Sequence, residues 1–150
     1  MNVAAFMVLL VTTLGLSLAF GGGPERWTAG MFAAAALASH LLYNGATDRY
    51  QSVEYAVAAV DLLLLAGLAG ILVKADRFWP IVMFAAHGVT VLAHAVKLID
   101  QTIVRQAYAV SIASPAYLTL VILLTGVARH QRRLRRHGED LDWSDLRKPT

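Results

Sequence analysis

The chain has 150 residues, of which 57% are apolar and only 15% charged, well short of the ~25% of an ordinary soluble domain. Its net charge of +3 belongs to residues 129–150, which hold seven basic and four acidic groups, whereas six basic and six acidic groups cancel in residues 1–128. The basic balance therefore describes a tail and excludes a nucleic-acid-binding body, and the absence of cysteine excludes disulfides, thiolate metal sites and a cysteine nucleophile.

In chain order, residues 3–20 (VAAFMVLLVTTLGLSLAF) carry no charge and are close to the ~20 residues that a membrane-spanning helix requires. The tripeptide SLA at 17–19 would pass as a signal-peptide cleavage site. A positive leader region is missing, however, and cleavage would put the arginine-rich tail on the wrong side of four remaining spans. The stretch is expected to stay as a first span. GGGPER follows. It lacks the Lys-Ser/Thr ending of a phosphate-binding loop and is expected to be a flexible turn, with Pro24 starting the next helix, where its missing N–H costs nothing.

Residues 28–44 make a second span, uncharged apart from His40. Residues 55–73 make a third with one charge, Asp61. After the short KADR turn, Pro80 opens a fourth span at 78–96, which contains His87 and His94. Residues 106–128 form an uncharged fifth, and Pro115 within it is expected to kink the helix. Small residues at helical spacing, Gly15 with Ala19 and Ala66 with Gly70, suit close helix contacts. Trp27, Tyr43, Tyr50, Tyr55, Phe78, Trp79 and Tyr108 lie near span ends and are expected to form an interfacial aromatic belt.

The fold class expected is thus all-α: an integral membrane bundle of about five transmembrane helices, residues 1–128, with a short cytoplasmic tail, residues 129–150. Counting basic residues orients it. With the tail inside, the inner segments hold Arg26, Lys74, Arg77, Arg129, Arg132, Arg133, Arg135 and Arg136, against Arg49, Lys97 and Arg105 outside. This bias places the N-terminus outside and the C-terminus inside.

An ionisable side chain within a span is costly and usually has a partner. His87 and His94 are seven residues apart and share a helix face with Phe84, Val91 and Leu98. Counting outward from the KADR turn sets Asp61 level with about Val91 and within roughly one turn of His94. The same counting brings His40, Tyr108 and Ser111 near that depth. Asp61 with His94 is the expected pair. The simplest reading of it is a hydrogen bond that fixes helix register. The functional alternative is a polar pocket for a proton, an ion or a small ligand, built from His40, Asp61, His87, His94, Tyr108 and Ser111. Haem b would need His40 opposite His87 or His94. Zinc would need His40, Asp61 and His94 to converge on one ion.

The tail opens with Arg129, Arg132, Arg133 and Arg136 at i, i+3, i+4 and i+7. A continuing helix would present them as one stripe to anionic lipid headgroups. Gly138 is expected to end that helix. The acidic stretch beyond it could fold back on the arginines, stay disordered, or dock a partner through residues 139–148 with Trp143 as apolar anchor. Deleting residues 139–150 is expected to leave folding intact.

GGGPERW, VDLLLLAGL, DRFWP and RQAYAV, followed by a last span and RHQRR, resemble a group of small bacterial multi-span proteins with no known activity. The resemblance runs from Gly21 to about Arg133. It implies a bacterial inner-membrane location and carries no functional residues with it. No serine sits in a nucleophile elbow, so a membrane enzyme is the least favoured class. The class expected first is a non-enzymatic accessory subunit or oligomeric component of a membrane assembly. A protein that binds a proton, an ion, a quinone or a haem through the polar cluster comes second.

Overall fold

The computed structural model describes residues 3–42, 55–102 and 104–144. Five helices make up the described chain: α1 (Val3–Phe20), α2 (Gly23–Leu41), α3 (Tyr55–Lys74), α4 (Trp79–Ile99) and α5 (Arg105–His137). There is no strand among the described residues. Three helices, α3, α4 and α5, are long and apolar enough to cross a membrane. α1 is shorter, and α2 opens with the charged pair Glu25 and Arg26.

The helices close a ring. Each packs on its neighbour in sequence, α5 returns to α1, and α2 touches α5 across the middle. α1 and α5 run parallel: Phe6 meets Tyr117 edge-on at 5.2 Å near one end, and Gln131 Nε2 donates to the Phe20 carbonyl at the other. The outer surface is apolar. Val8, Val11, Leu62, Leu63, Val73, Val89, Leu92 and Val121 all point away from the bundle. In water such a surface would be strongly unfavourable; in lipid it costs nothing, while helical hydrogen bonding satisfies the backbone.

The apolar core fills the half of the bundle nearest the tail. Phe32 of α2, Leu64, Leu68 and Ile71 of α3, Met83 of α4 and Leu123 of α5 meet there. The other half is centred on polar side chains, described below.

Three features refine the sequence reading. α2 opens at Gly23 with Pro24 in its first turn, as expected, where no donor is needed, so the helix begins five residues before the uncharged stretch 28–44. α5 runs as one helix from Arg105 through Pro115 to His137, so the basic stripe lies on the continuation of the last apolar span, as expected. The small residues Gly15, Ala19, Ala66 and Gly70 are exposed, so the close helix contacts they suit lie on the outer surface of the bundle.

Gly138 ends α5 in the left-handed region, φ 78°, and its N–H caps the Leu134 carbonyl. That conformation suits glycine and reverses the chain. Residues 139–144 then fold back on the bundle end. Ser144 N–H and Oγ–H both donate to the Lys74 carbonyl, at 2.8 and 2.9 Å, and Trp143 packs against the core. Of the courses left open for the acidic stretch, this is the fold-back on the arginines, with Arg133 Nε on Asp140. Its described part, through Ser144, covers the bundle end, and Trp143 is engaged within the chain. The 45–53 segment, Tyr43, Tyr50 and residues 145–150 lie outside the described residues.

Candidate functional site

α4 exposes its apolar residues on one side and buries Met83, His87, Thr90, His94 and Lys97 on the other. These positions recur every three to four residues, one helix face. Phe84, Val91 and Leu98, expected on that face, are only half-buried or exposed.

α3 places Asp61 against this face. His94 Nε2 lies 3.0 Å from Asp61 Oδ2, and His94 Nδ1 lies 2.8 Å from the Tyr108 hydroxyl of α5. His87 Nε2 lies 3.0 Å from the Asp61 carbonyl and 3.9 Å from Asp61 Oδ1. Both histidines and Tyr108 are buried, while the Asp61 side chain keeps 16% of its exposure, enough to reach the outside. The rings of His94 and Tyr108 meet edge-on at 5.7 Å. Lys97, also buried, holds its ammonium 5.8 Å from the centre of the Tyr108 ring and donates to the Gln101 carbonyl at 2.9 Å.

Where Asp61 is the carboxylate, it only accepts, and His94 Nε2 carries the hydrogen toward it. In the neutral ring Nδ1 then accepts from Tyr108 O–H. If Nδ1 takes up a proton, the ring donates in both directions and the Tyr108 hydroxyl turns to accept. The file Tyr108–His94–Asp61 thus has two complete hydrogen-bond patterns on one arrangement of heavy atoms. A carbonyl also only accepts, so His87 donates from Nε2.

The pairing of Asp61 with His94 is the one the depth counting predicts, and Tyr108 and His87 join it. His40 and Ser111 do not: each is exposed on its helix, and no hydrogen bond or ion pair links either to the cluster. His40 is exposed in the last turn of α2, His87 Nε2 is on the Asp61 carbonyl and both ring nitrogens of His94 are engaged, so the geometry does not present His40 opposite His87 or His94 as a haem bracket. Nor does a zinc triad of His40, Asp61 and His94: among the described residues no group of three His, Asp or Glu could hold a metal ion.

A second polar cluster lies at the opposite, tail end, and the sequence reading missed it. Glu25 of α2 is fully buried and accepts at Oε1 from the Trp79 indole at 3.0 Å. Arg77, in the α3–α4 turn, has its side chain 1% exposed, with Nε 3.8 Å from Glu25 Oε1 and Nη1 2.5 Å from Asp140 Oδ2. Its Nη2 donates to the Leu141 carbonyl at 3.0 Å. His130 Nδ1 and Arg133 Nε also reach Asp140, at 2.5 and 2.6 Å. Gly22 lies directly beneath this layer: a Cβ there would meet the Asp142 carboxylate and the His130 ring. The expected flexible GGG turn is therefore a close approach of backbone to side chain.

These contacts overturn two expectations. Trp79 and Tyr108 are buried partners of polar groups and not members of an interfacial belt, whereas Trp27, Tyr55 and Phe78 are exposed as a belt requires. Arg77 and Glu25, weighed in the sequence only by charge sign, are the centre of a buried network. Two signals point to it: an acidic residue directly after the helix-starting Pro24, and a base two positions before Trp79, in a chain that ends in an acidic stretch.

No protein family, curated protein or solved structure is found to match this chain.

Proposed function

We propose that the chain is a non-enzymatic integral membrane protein whose Tyr108–His94–Asp61 file binds and relays a proton. The observation that carries this reading is the continuous pair of hydrogen bonds, 2.8 and 3.0 Å, on a buried imidazole with two complete donor patterns. Histidine changes charge at about pH 5 to 8, the range in which a membrane protein meets a proton gradient. The apolar layer of Leu68, Met83 and Leu123 separates the file from the tail end, so the site stores and hands on a proton at one side and is not a through-channel.

The same reading takes all five helices as spans, with the N-terminus outside and the tail inside a bacterial inner membrane. It rests on the eight-to-three basic bias and on the apolar outer surface. Because the chain has no native cysteine, Thr102→Cys should react with an impermeant thiol reagent added outside, and Glu139→Cys should not. The reverse pattern would invert the orientation.

The proton reading is tested by infrared difference spectroscopy of the protein in nanodiscs, stepped between about pH 5 and pH 8. A carboxylate band that disappears in Asp61→Asn, together with a tyrosine band that disappears in Tyr108→Phe, is the expected result. Identical difference spectra for wild type and both variants would refute it.

A second reading, membership of a larger membrane assembly or a homo-oligomer, is favoured by one observation. Gly15, Gly30 and Gly70 sit on helix surfaces with open space where a side chain would project, the kind of surface on which a second helix approaches closely. Co-purification of a stoichiometric partner, or of the protein with itself, tests it.

A further inference from the structure

Three basic groups, Arg77, His130 and Arg133, converge on the single carboxylate of Asp140, within 2.5 to 2.6 Å. Seen from these cations, this is an anion site occupied by the chain's own tail. Asp140 is delivered to it from beyond Gly138, whose left-handed turn reverses the chain.

The neighbouring surface is also basic. The last turns of α5 line an open groove of about 240 Å³ with Arg129, Arg132, Arg133, Arg136 and His137. Arg133 belongs to both places. Its Nε holds Asp140, while its Nη2 is buried without a hydrogen-bond partner among the described residues. The groove begins just after the final apolar turn of α5, at the depth where a span meets headgroups.

A phosphodiester offers the same pair of anionic oxygens as a carboxylate, in the geometry that a guanidinium fork accepts. An anionic membrane surface also repels Glu139, Asp140 and Asp142 while attracting the arginines. We propose that the phosphate of an anionic phospholipid, seated in this groove, draws Arg133 away from Asp140 and loosens the 139–144 segment. The tail is then a latch whose internal ligand, Asp140, competes with lipid. The proposal is independent of the proton reading, since its residues lie at the other end of the bundle.

Spin labels at Asp76→Cys and Glu139→Cys, two exposed positions in a chain without native cysteine, report the latch as a distance. In phosphatidylcholine nanodiscs a single short distance is expected, and Asp140→Asn should lengthen it. In phosphatidylglycerol nanodiscs a longer population should appear in the unmodified latch. The triple change Arg129→Gln, Arg132→Gln, Arg136→Gln should keep the short distance in both lipids, which also shows that this variant folds. Four results overturn the proposal: the same distance in both lipids, opening of the triple variant by phosphatidylglycerol, no lengthening in Asp140→Asn, or opening in phosphatidylcholine by inorganic phosphate, which would make the ligand a free anion.

Discussion

At the Asp61 end, three side chains from three consecutive helices stand in single file, each touching the next and each able to give or accept a proton. At the Arg77 end, groups from α2, the α3–α4 turn, α5 and the tail converge on two carboxylates, Glu25 and Asp140. The first arrangement needs little more than the register of neighbouring helices. The second ties together segments far apart in sequence: Arg77 and Asp140 are 63 residues apart, Trp79 and Glu25 are 54 apart. A single file can change its protonation and keep its geometry, whereas a convergent cluster loses its balance when any charge is removed. The two ends are therefore suited to different work, one to proton chemistry and the other to holding the bundle end closed.

The largest effect should follow from breaking the convergent end at its centre. Arg77→Ala leaves Glu25 buried opposite no cation and takes one of three from Asp140. Removing one partner of a buried ion pair costs about 3–5 kcal/mol. A drop of that size in thermal or denaturant stability in detergent is expected, together with proteolytic release of the tail. Arg77→Lys should recover only part of it, because a point charge cannot reach Asp140, the Leu141 carbonyl and Glu25 together. Stability within error of wild type for Arg77→Ala would dissolve the contrast between the two ends.

Trp79→Phe sharpens the same contrast with a smaller change. It keeps the ring in the core and removes the hydrogen bond that Glu25 Oε1 receives from the indole. An unsatisfied buried acceptor costs about 1–3 kcal/mol. Gly138→Ala belongs in the same range, since a left-handed residue with a Cβ costs roughly 1–2 kcal/mol. Its destabilisation should be accompanied by loss of the Ser144 contacts at Lys74, read by hydrogen exchange.

The two ends also differ in how far the sequence reveals them. α3 and α4 are joined by a short turn, so counting outward from it matches depths to about one helical turn, and the cost of an unpaired Asp61 selects His94 as partner. Tyr108 follows from the same counting across the next loop, and His40 and Ser111 share its depth but not its face. That shared depth is an expectation of the counting alone, which leaves rotation about each helix axis free, and both residues are exposed. The Glu25–Arg77–Asp140 network has no such ruler. Its members sit in turns and in a tail, where chain direction is set by Gly138, by the approach at Gly22 and by the burial of Trp143. Charge counting sees the signs of these residues and not their neighbours.

At the single-file end, stability and function should separate. Asp61→Asn and His94→Gln both preserve side-chain size and some hydrogen bonding. Each is expected to cost less than Arg77→Ala while abolishing the protonation bands described above. A double-mutant cycle between them should give a coupling of about 0.5 kcal/mol or more. Additive losses would mean that the 3.0 Å contact contributes nothing of its own.

The smallest effect lies just beyond α4, in the exposed turn that leads into α5. Asp100 Oδ1 accepts from the Thr102 hydroxyl at 2.6 Å and from the Thr102 N–H at 2.9 Å, a local turn of the kind that short acidic side chains favour. The hydroxyl, the backbone N–H and the nearby Lys97 charge together hold the Asp100 carboxyl below the usual carboxylate range, the hydroxyl most strongly. A carboxyl whose folded value is depressed adds stability above its unfolded value and loses it as pH falls through the folded one. Thr102→Ala removes the hydroxyl, which should raise the Asp100 pKa toward the unfolded value, with the carboxyl resonance of Asp100 as the readout. Because the site is fully open to solvent, the accompanying loss of stability should be confined to neutral pH, small, and gone in acid. A stability difference that persists once Asp100 is protonated would show that Thr102 acts through the backbone of the turn and not through the carboxylate.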